Sequence, residues 1–244
     1  MSQRSGPLNL EAAVAGLMTS PRVVVGVDFD GTLAPIVSHP DLAVPLPDAI
    51  ASLARLAAAP NVTVAVVSGR AFADLAARLG DLPGAVLIGE HGNDYGQSEP
   101  ADEVICDALT MLRRVANDRP EVTVEIKRKS VTFHYRNLGD ADARECLDRI
   151  RVWADDHEVG VLEGRNVIEL STATRDKGDA IRELADGAPF VYFGDDTTDE
   201  SVFEAMGPDD IGVKVGSGPT AAPFRVEDAE EVARVLNTMA LASR

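Results

Sequence analysis

Asp28-Phe29-Asp30-Gly31-Thr32 sets two carboxylates two residues apart, directly after a valine- and glycine-only run from Val23 to Val27. On an extended chain such residues face the same side. Close carboxylates leaving a buried strand are costly unless a cation or a shared proton relieves them. The chemistry that fits is a division of labour, with one carboxylate as nucleophile and the other carrying protons. Gly31 lets the chain turn sharply after the pair. A second acidic cluster, Gly194-Asp195-Asp196-Thr197-Thr198-Asp199, follows the apolar run Phe190 to Phe193. Hard oxygen ligands beside a phosphate suit magnesium, which takes only a few carboxylates and keeps several waters. Ser68-Gly69 lies between an apolar run and a helical stretch, where a hydroxyl and backbone N–H groups can hold a phosphate oxygen. Lys177-Gly178 opens another helical stretch and can neutralise a phosphoryl group. Each segment also has a plainer reading, as an acidic turn, a helix N-terminus or a solvated lysine. Their joint occurrence favours the chemistry.

The elements that must position these residues follow from hydrophobic pattern. Val23–Val27, Val62–Val67 and Val86–Ile88 read as strands buried on both faces, with helices over Asp48–Ala59 and Ala71–Leu79 between them. Strand character returns at Phe190–Phe193 and Ile211–Val215, and a last helix is expected over Glu227–Ala242. Alternating strands and helices imply a parallel sheet covered on both faces, and ligands bind beyond the carboxyl ends of its strands. Asp28, Ser68, His91 and Asp195 all fall at such ends. After Gly96 the pattern changes to helix (Ala101–Asn117), strands (Val122–Lys127 and Ser130–Arg136), helix (Asp142–His157) and strands (Val159–Leu162 and Asn166–Leu170). The expected organisation is therefore a core of residues 1–96 and 173–244, split by a cap at 97–172. Neither repeats nor low-complexity segments interrupt it.

In the cap, side-chain alternation separates two faces. Glu125 and Lys127, then Ser130, Thr132, His134 and Arg136, then Val167 and Glu169 fall on one. Val124 and Ile126, then Val131, Phe133 and Tyr135, then Ile168 and Leu170 fall on the other. The apolar face is expected to carry the helices, leaving the polar face for a ligand or for water.

Composition bounds the function. Of 244 residues, 45% are hydrophobic and 26% charged, the balance of a globular chain with a buried core. No apolar run approaches the ~20 residues of a membrane-spanning helix. Ala12–Met18 follows Glu11 and reads as a frayed or amphipathic helix, not a secretory signal. Cys106 and Cys146 lack metal-ligand or redox spacing and read as buried small apolar groups, which places the chain in the cytoplasm. A formal charge of −17 argues against nucleic-acid binding and obliges any anion site to build its own positive potential.

The four motifs in this order resemble those of the haloacid dehalogenase superfamily, and the resemblance covers the whole parallel core. It implies an α/β, Rossmann-like parallel core with an inserted α/β cap. By that resemblance Asp28 is the nucleophile and Asp30 the general acid/base. Ser68, Gly69 and Lys177 hold phosphate. Asp28, Asp195, Asp196, Asp199 and the main-chain carbonyl of Asp30 serve a magnesium ion. Asp28–Pro35, Ser68-Gly69-Arg70, His91-Gly92, Lys127–Arg136 and Asp195–Glu200 together look like the trehalose-6-phosphate phosphatase family. That likeness implies hydrolysis of a sugar phosphate through an aspartyl phosphate, with Arg70, His91, Gly92, Glu125, Lys127, Ser130, His134 and Glu169 contacting the substrate. It also implies a trehalose-phosphate synthase as partner. Two segments depart from the family pattern, Leu170–Arg175 after Glu169 and Asn93-Asp94 after Gly92. They leave open another glycosyl phosphate, such as a mannosyl or glucosyl phosphoglycerate or a sucrose phosphate. A non-catalytic sugar-phosphate sensor is the alternative from another class.

Overall fold

A computed structural model describes residues 7–96, 101–117, 119–164 and 166–243. Residue 97, expected to open the cap, lies outside them. In chain order the elements are α1 (Pro7–Leu17), β1 (Val23–Val27), α2 (Pro47–Ala57), β2 (Val62–Val67), α3 (Phe72–Leu79) and β3 (Ala85–Ile88). Then come α4 (Glu103–Val115), β4 (Thr123–Ile126), β5 (Ser130–His134), α5 (Asp140–Asp156), β6 (Gly160–Gly164) and β7 (Val167–Ser171). The chain finishes with α6 (Lys177–Ala185), β8 (Phe190–Gly194), α7 (Glu200–Glu204), β9 (Ile211–Val215), β10 (Phe224–Val226) and α8 (Ala229–Ala242). Described residues up to Gly96 and from Arg175 onward form one compact unit, and those between form a second.

The first unit is built on a six-stranded parallel sheet in the order β10-β9-β8-β1-β2-β3. Alternation along β1 assigns its faces. Val23, Val25 and Val27 join α1, α2 and α8 in one apolar layer, and Val24 joins α6 and α7 in the other. Gly26 is required on this second face, because a Cβ there would press within 2.7 Å of both Ile181 and Tyr192. Helix α2 starts at Pro47, whose fixed φ suits a first turn, and buries Ala49, Ser52, Leu53 and Leu56 along one stripe. Helix α1 buries Leu10, Val14 and Leu17, so it is an anchored part of the core rather than a frayed end.

The second unit is a four-stranded antiparallel sheet, β4-β5-β7-β6, with α4 and α5 on one face. Val131, Phe133, Ile168 and Leu170 of its central strands are buried against Ile105, Leu112 and Ile150. Ile126, expected on the apolar face, keeps that register but stays largely exposed because β4 is an edge strand. Cys146 is buried, whereas Cys106 is exposed, which corrects the expectation of two buried thiols. Position 106 lies about 100° around α4 from the buried Ile105. Both thiols are free. No helix among the described residues is long and apolar enough to cross a membrane.

Candidate active site

Strand order places the acidic motifs together. The chain runs outward from β1 through β2 to β3, then returns with β8 on the other side of β1. The gap beyond β1 and β8 is thus the switch point where parallel α/β sheets open a crevice. Asp28 leaves β1 and Asp195 leaves β8, and the register is locked by Asp28 N–H donating to the Phe193 carbonyl at 2.9 Å. Gly31 turns the first motif with φ +77°, and a Cβ there would overlap the Asp195 carboxylate. Carboxylate oxygens of Asp28, Asp195 and Asp199 lie within 4.8 Å of one another.

Lys177, at the start of α6, supplies the counter-charge. Its Nζ donates to Asp28 Oδ1 at 2.8 Å and to Asp199 Oδ1 at 2.7 Å, with all three side chains buried. An Asp176–Asp179 capping box fixes this helix start, and Gly178 is needed because a Cβ would press on the Ser201 carbonyl. Asp199 also accepts from the Tyr192 hydroxyl at 2.8 Å and from Asp196 N–H at 2.9 Å. Burial pushes the Asp28 carboxyl well above the usual range, against the pull of Lys177. Burial opposes the charge on Lys177, but Asp28 and Asp199 outweigh it and hold the ammonium protonated. Burial, followed by Asp199 and Asp196, pushes Asp195 up to about 6. Three converging carboxylates with one ammonium between two of them are under-neutralised, and an all-oxygen set of this kind fits a hard divalent cation.

Asp196 departs from the expectation. It is exposed, outside the cluster, and spends its carboxylate on Thr197 N–H at 2.6 Å as a cap of the following turn. The Asp30 carboxylate also lies outside the cluster, held by Arg70 instead. Ser68, buried at the end of β2, accepts from Arg70 N–H through Oγ at 3.2 Å, and its carbonyl accepts from His91 N–H at 2.9 Å. Gly69 is needed because a Cβ there would overlap the His91 imidazole. Gly92, at φ +110°, lets its turn approach the Asp176 carbonyl at the base of α6.

The remaining candidates lie in the second unit. Cross-strand register puts Glu125, Thr132 and Glu169 in one row, flanked by His134 on one side and by Lys127 and Ser130 on the other. His134 Nε2 meets Glu125 Oε2 at 3.3 Å, and Lys127 Nζ stands 3.9 Å from Glu169 Oε1. The polar face is thus a row of paired charges, with the exposed Leu162 completing it at the edge.

Comparison with known proteins fixes the relationship. A family model described as trehalose-phosphatase matches residues 26–230. The chain belongs to the trehalose-phosphatase family. The trehalose-phosphate phosphatase of Mycobacterium marinum is 38% identical over 91% of this chain and 63% of its own length. The bifunctional trehalose-6-phosphate synthase/phosphatase of Thermoproteus tenax is 34% identical over 91% of this chain and 32% of its own length. The chain therefore spans less than two thirds of these relatives. A solved trehalose-6-phosphate phosphatase related protein is 27% identical with a TM-score of 0.74, over 89% of this chain and 97% of that one. The haloacid-dehalogenase-like fold class expected from the motifs is the one found.

Two residues of this trehalose-phosphatase chain escaped sequence reasoning. Lys214 is a buried lysine in the otherwise apolar β9, and its Nζ donates to the Asp195 carbonyl and reaches the Asp196 carbonyl at 3.4 Å. A charge inside a buried strand was the available signal. Tyr192 gave none, since an aromatic in a buried strand reads as core. The two segments that depart from the family pattern meet each other: Asn93 Nδ2 donates to the Arg175 carbonyl at 2.8 Å, and the Arg175 guanidinium lies 5.9 Å from the Tyr95 ring centroid.

Proposed function

We propose that the chain hydrolyses trehalose 6-phosphate to trehalose and phosphate through an aspartyl phosphate on Asp28. The observation that carries this reading is the buried Asp28 carboxylate, oriented by Lys177 beside Asp195 and Asp199 at the sheet's switch point. With Oδ1 held by Lys177, Oδ2 attacks phosphorus, and its bond forms as the bond from phosphorus to the sugar oxygen breaks. Asp30 gives its proton to the departing oxygen. A water then passes a proton to Asp30 and attacks phosphorus, breaking the acyl phosphate and releasing phosphate. Ser68 and Lys177 hold the phosphoryl oxygens as their charge redistributes. Asp28, Asp195 and Asp199 fit magnesium, which when bound neutralises phosphoryl charge and aligns the phosphorus for attack. Asp196 and His91 support the surrounding turns.

The first unit is the phosphatase core, and the second gives specificity through Glu125, Lys127, Ser130, His134 and Glu169, whose paired charges match sugar hydroxyls. The named activity of the Mycobacterium marinum relative supports the choice of sugar. Two free thiols suit the cytoplasm. The Thermoproteus tenax relative, named for both activities, supports association with a trehalose-phosphate synthase. The test is phosphate release from a panel of glycosyl phosphates, with magnesium and with chelator. Trehalose 6-phosphate should be preferred and chelator should abolish turnover. Preference for a phosphoglycerate or sucrose ester would replace the substrate, and release from none would return the chain to the sensor class.

A further inference from the structure

We propose that Arg70 is a positioning residue for Asp30, holding the acid/base carboxylate in one orientation, rather than a contact to the substrate. Arg70 Nε donates to Asp30 Oδ2 and Nη2 to Asp30 Oδ1, both at 2.7 Å, a planar two-point fork. A third arm, Nη1, donates to Asp74 Oδ2 at 2.6 Å, and Nη2 donates again to the Pro40 carbonyl at 2.8 Å. Those bonds engage four of the guanidinium's five N–H groups, which leaves little to offer a substrate. The anchor continues outward. Asp74 accepts from Arg78 Nε at 2.9 and 3.0 Å, and Arg78 Nη1 donates to the Asp41 and Ala43 carbonyls at 3.1 and 3.2 Å.

Exposure supports the same direction of action. The Arg70 side chain is 10% exposed and lies 5.2 Å from the Phe29 ring centroid, whereas Asp30 is 49% exposed. The arginine is therefore the fixed partner, and the carboxylate is the one that meets solvent and reactants. A half-exposed aspartate without such a fork would be spread over several rotamers, and proton transfer is sensitive to misplacement of that size. Each carboxylate oxygen retains a second lone-pair direction, so the fork orients Asp30 without blocking it.

The inference rests on Asp30 being the acid/base, and the test separates the two. Arg70→Met, Arg70→Lys, Asp30→Asn and the Asp30→Asn/Arg70→Met double variant are compared on trehalose 6-phosphate and p-nitrophenyl phosphate. An alkyl oxygen needs a proton to leave, whereas p-nitrophenolate does not. Both Arg70 variants should lower kcat on the sugar phosphate at least about tenfold while KM moves by less than about threefold. On p-nitrophenyl phosphate the first turnover should stay near wild type and later ones slow, because water attack still needs Asp30; the signature is a burst of p-nitrophenolate. Asp30→Asn should show the same pattern, and the double variant should be no worse than Asp30→Asn alone, since both act on one step. A raised KM with unchanged kcat, or losses that multiply in the double variant, would make Arg70 an independent substrate contact and overturn the proposal. If Asp30→Asn itself lacks the burst and the leaving-group dependence, the acid/base reading fails instead. Should Arg70→Met not fold by circular dichroism, Arg70→Lys, which keeps the charge and loses the fork, carries the same expectations.

Discussion

Lys177 shows how a residue type common on surfaces becomes the centre of a site. It is 2% exposed between Asp28 and Asp199, so removing it strands two buried carboxylates. Breaking a buried pair from one side costs about 3–5 kcal/mol, more than its net contribution when intact. Lys177→Met should therefore lower unfolding stability by roughly 3 kcal/mol or more in metal-free buffer, measured by denaturant titration at neutral pH. A change below about 1 kcal/mol would mean the network is not buried in solution. At this scale the sequence was legible where an acidic residue directly follows an apolar run, as at Asp28 and Asp195. It was opaque where partners are far apart in the chain. No spacing reveals that Lys177 reaches Asp199, that Tyr192 shares that carboxylate, or that Lys214 holds the Asp195 carbonyl.

The elements divide the same way. Strands buried on both faces read clearly, and Val23–Val27, Val62–Val67 and Ile211–Val215 have the bounds that their apolar runs predict. The ends of α2, α3, α4, α5 and α8 lie within two residues of those expected, and at α8 a cap sets the difference: the helix begins at Ala229, after Asp228 accepts Glu231 N–H, rather than at the expected Glu227. Strand β10 and helix α7 were missed, being three and five residues long, too short for any periodicity. In the second unit, Asp102 joins three elements, accepting Lys129 Nζ at 2.9 and 3.0 Å and Thr172 Oγ1 at 2.7 Å from its place before α4. Lys129 and then Thr172 hold its carboxyl below the ordinary range. A depressed pKa contributes stability that is complete above the unfolded value of about 3.9 and is lost as pH falls through the native value. Asp102→Asn should cost roughly 1 kcal/mol at pH 7, discounted for partial exposure, and the gap to wild type should close on acidification. The single tryptophan, Trp153 on α5, reports unfolding of this unit by fluorescence. A gap that persists unchanged below the carboxylate range would remove the ion pair from the account.

Across the whole molecule, the proposed function asks a chain with a net charge of −17 to bind a dianionic ester. The structure places cations locally at the acidic motifs, with Lys177 on Asp28 and Lys214 beneath the Asp195 loop, and these are the available source of positive potential. In the proposed function the two units divide the work, hydrolysis in the first and sugar choice in the second. Glu169→Ala or Glu125→Ala should cut kcat/KM on trehalose 6-phosphate by at least about tenfold, the loss of one charge-assisted hydrogen bond to a hydroxyl. Hydrolysis of p-nitrophenyl phosphate, which has no disaccharide to hold, should fall much less. Equal losses on both would assign these carboxylates to folding. The covalent step at Asp28 is tested most directly by mixing enzyme and trehalose 6-phosphate with magnesium, quenching in acid within milliseconds, and locating phosphate by peptide mass analysis. A transient phosphoryl group on the peptide containing Asp28, absent from Asp28→Asn along with steady-state turnover, is the expected result. Phosphate release from trehalose 6-phosphate by a folded Asp28→Asn protein, with no adduct at Asp28 in the wild type, would contradict it.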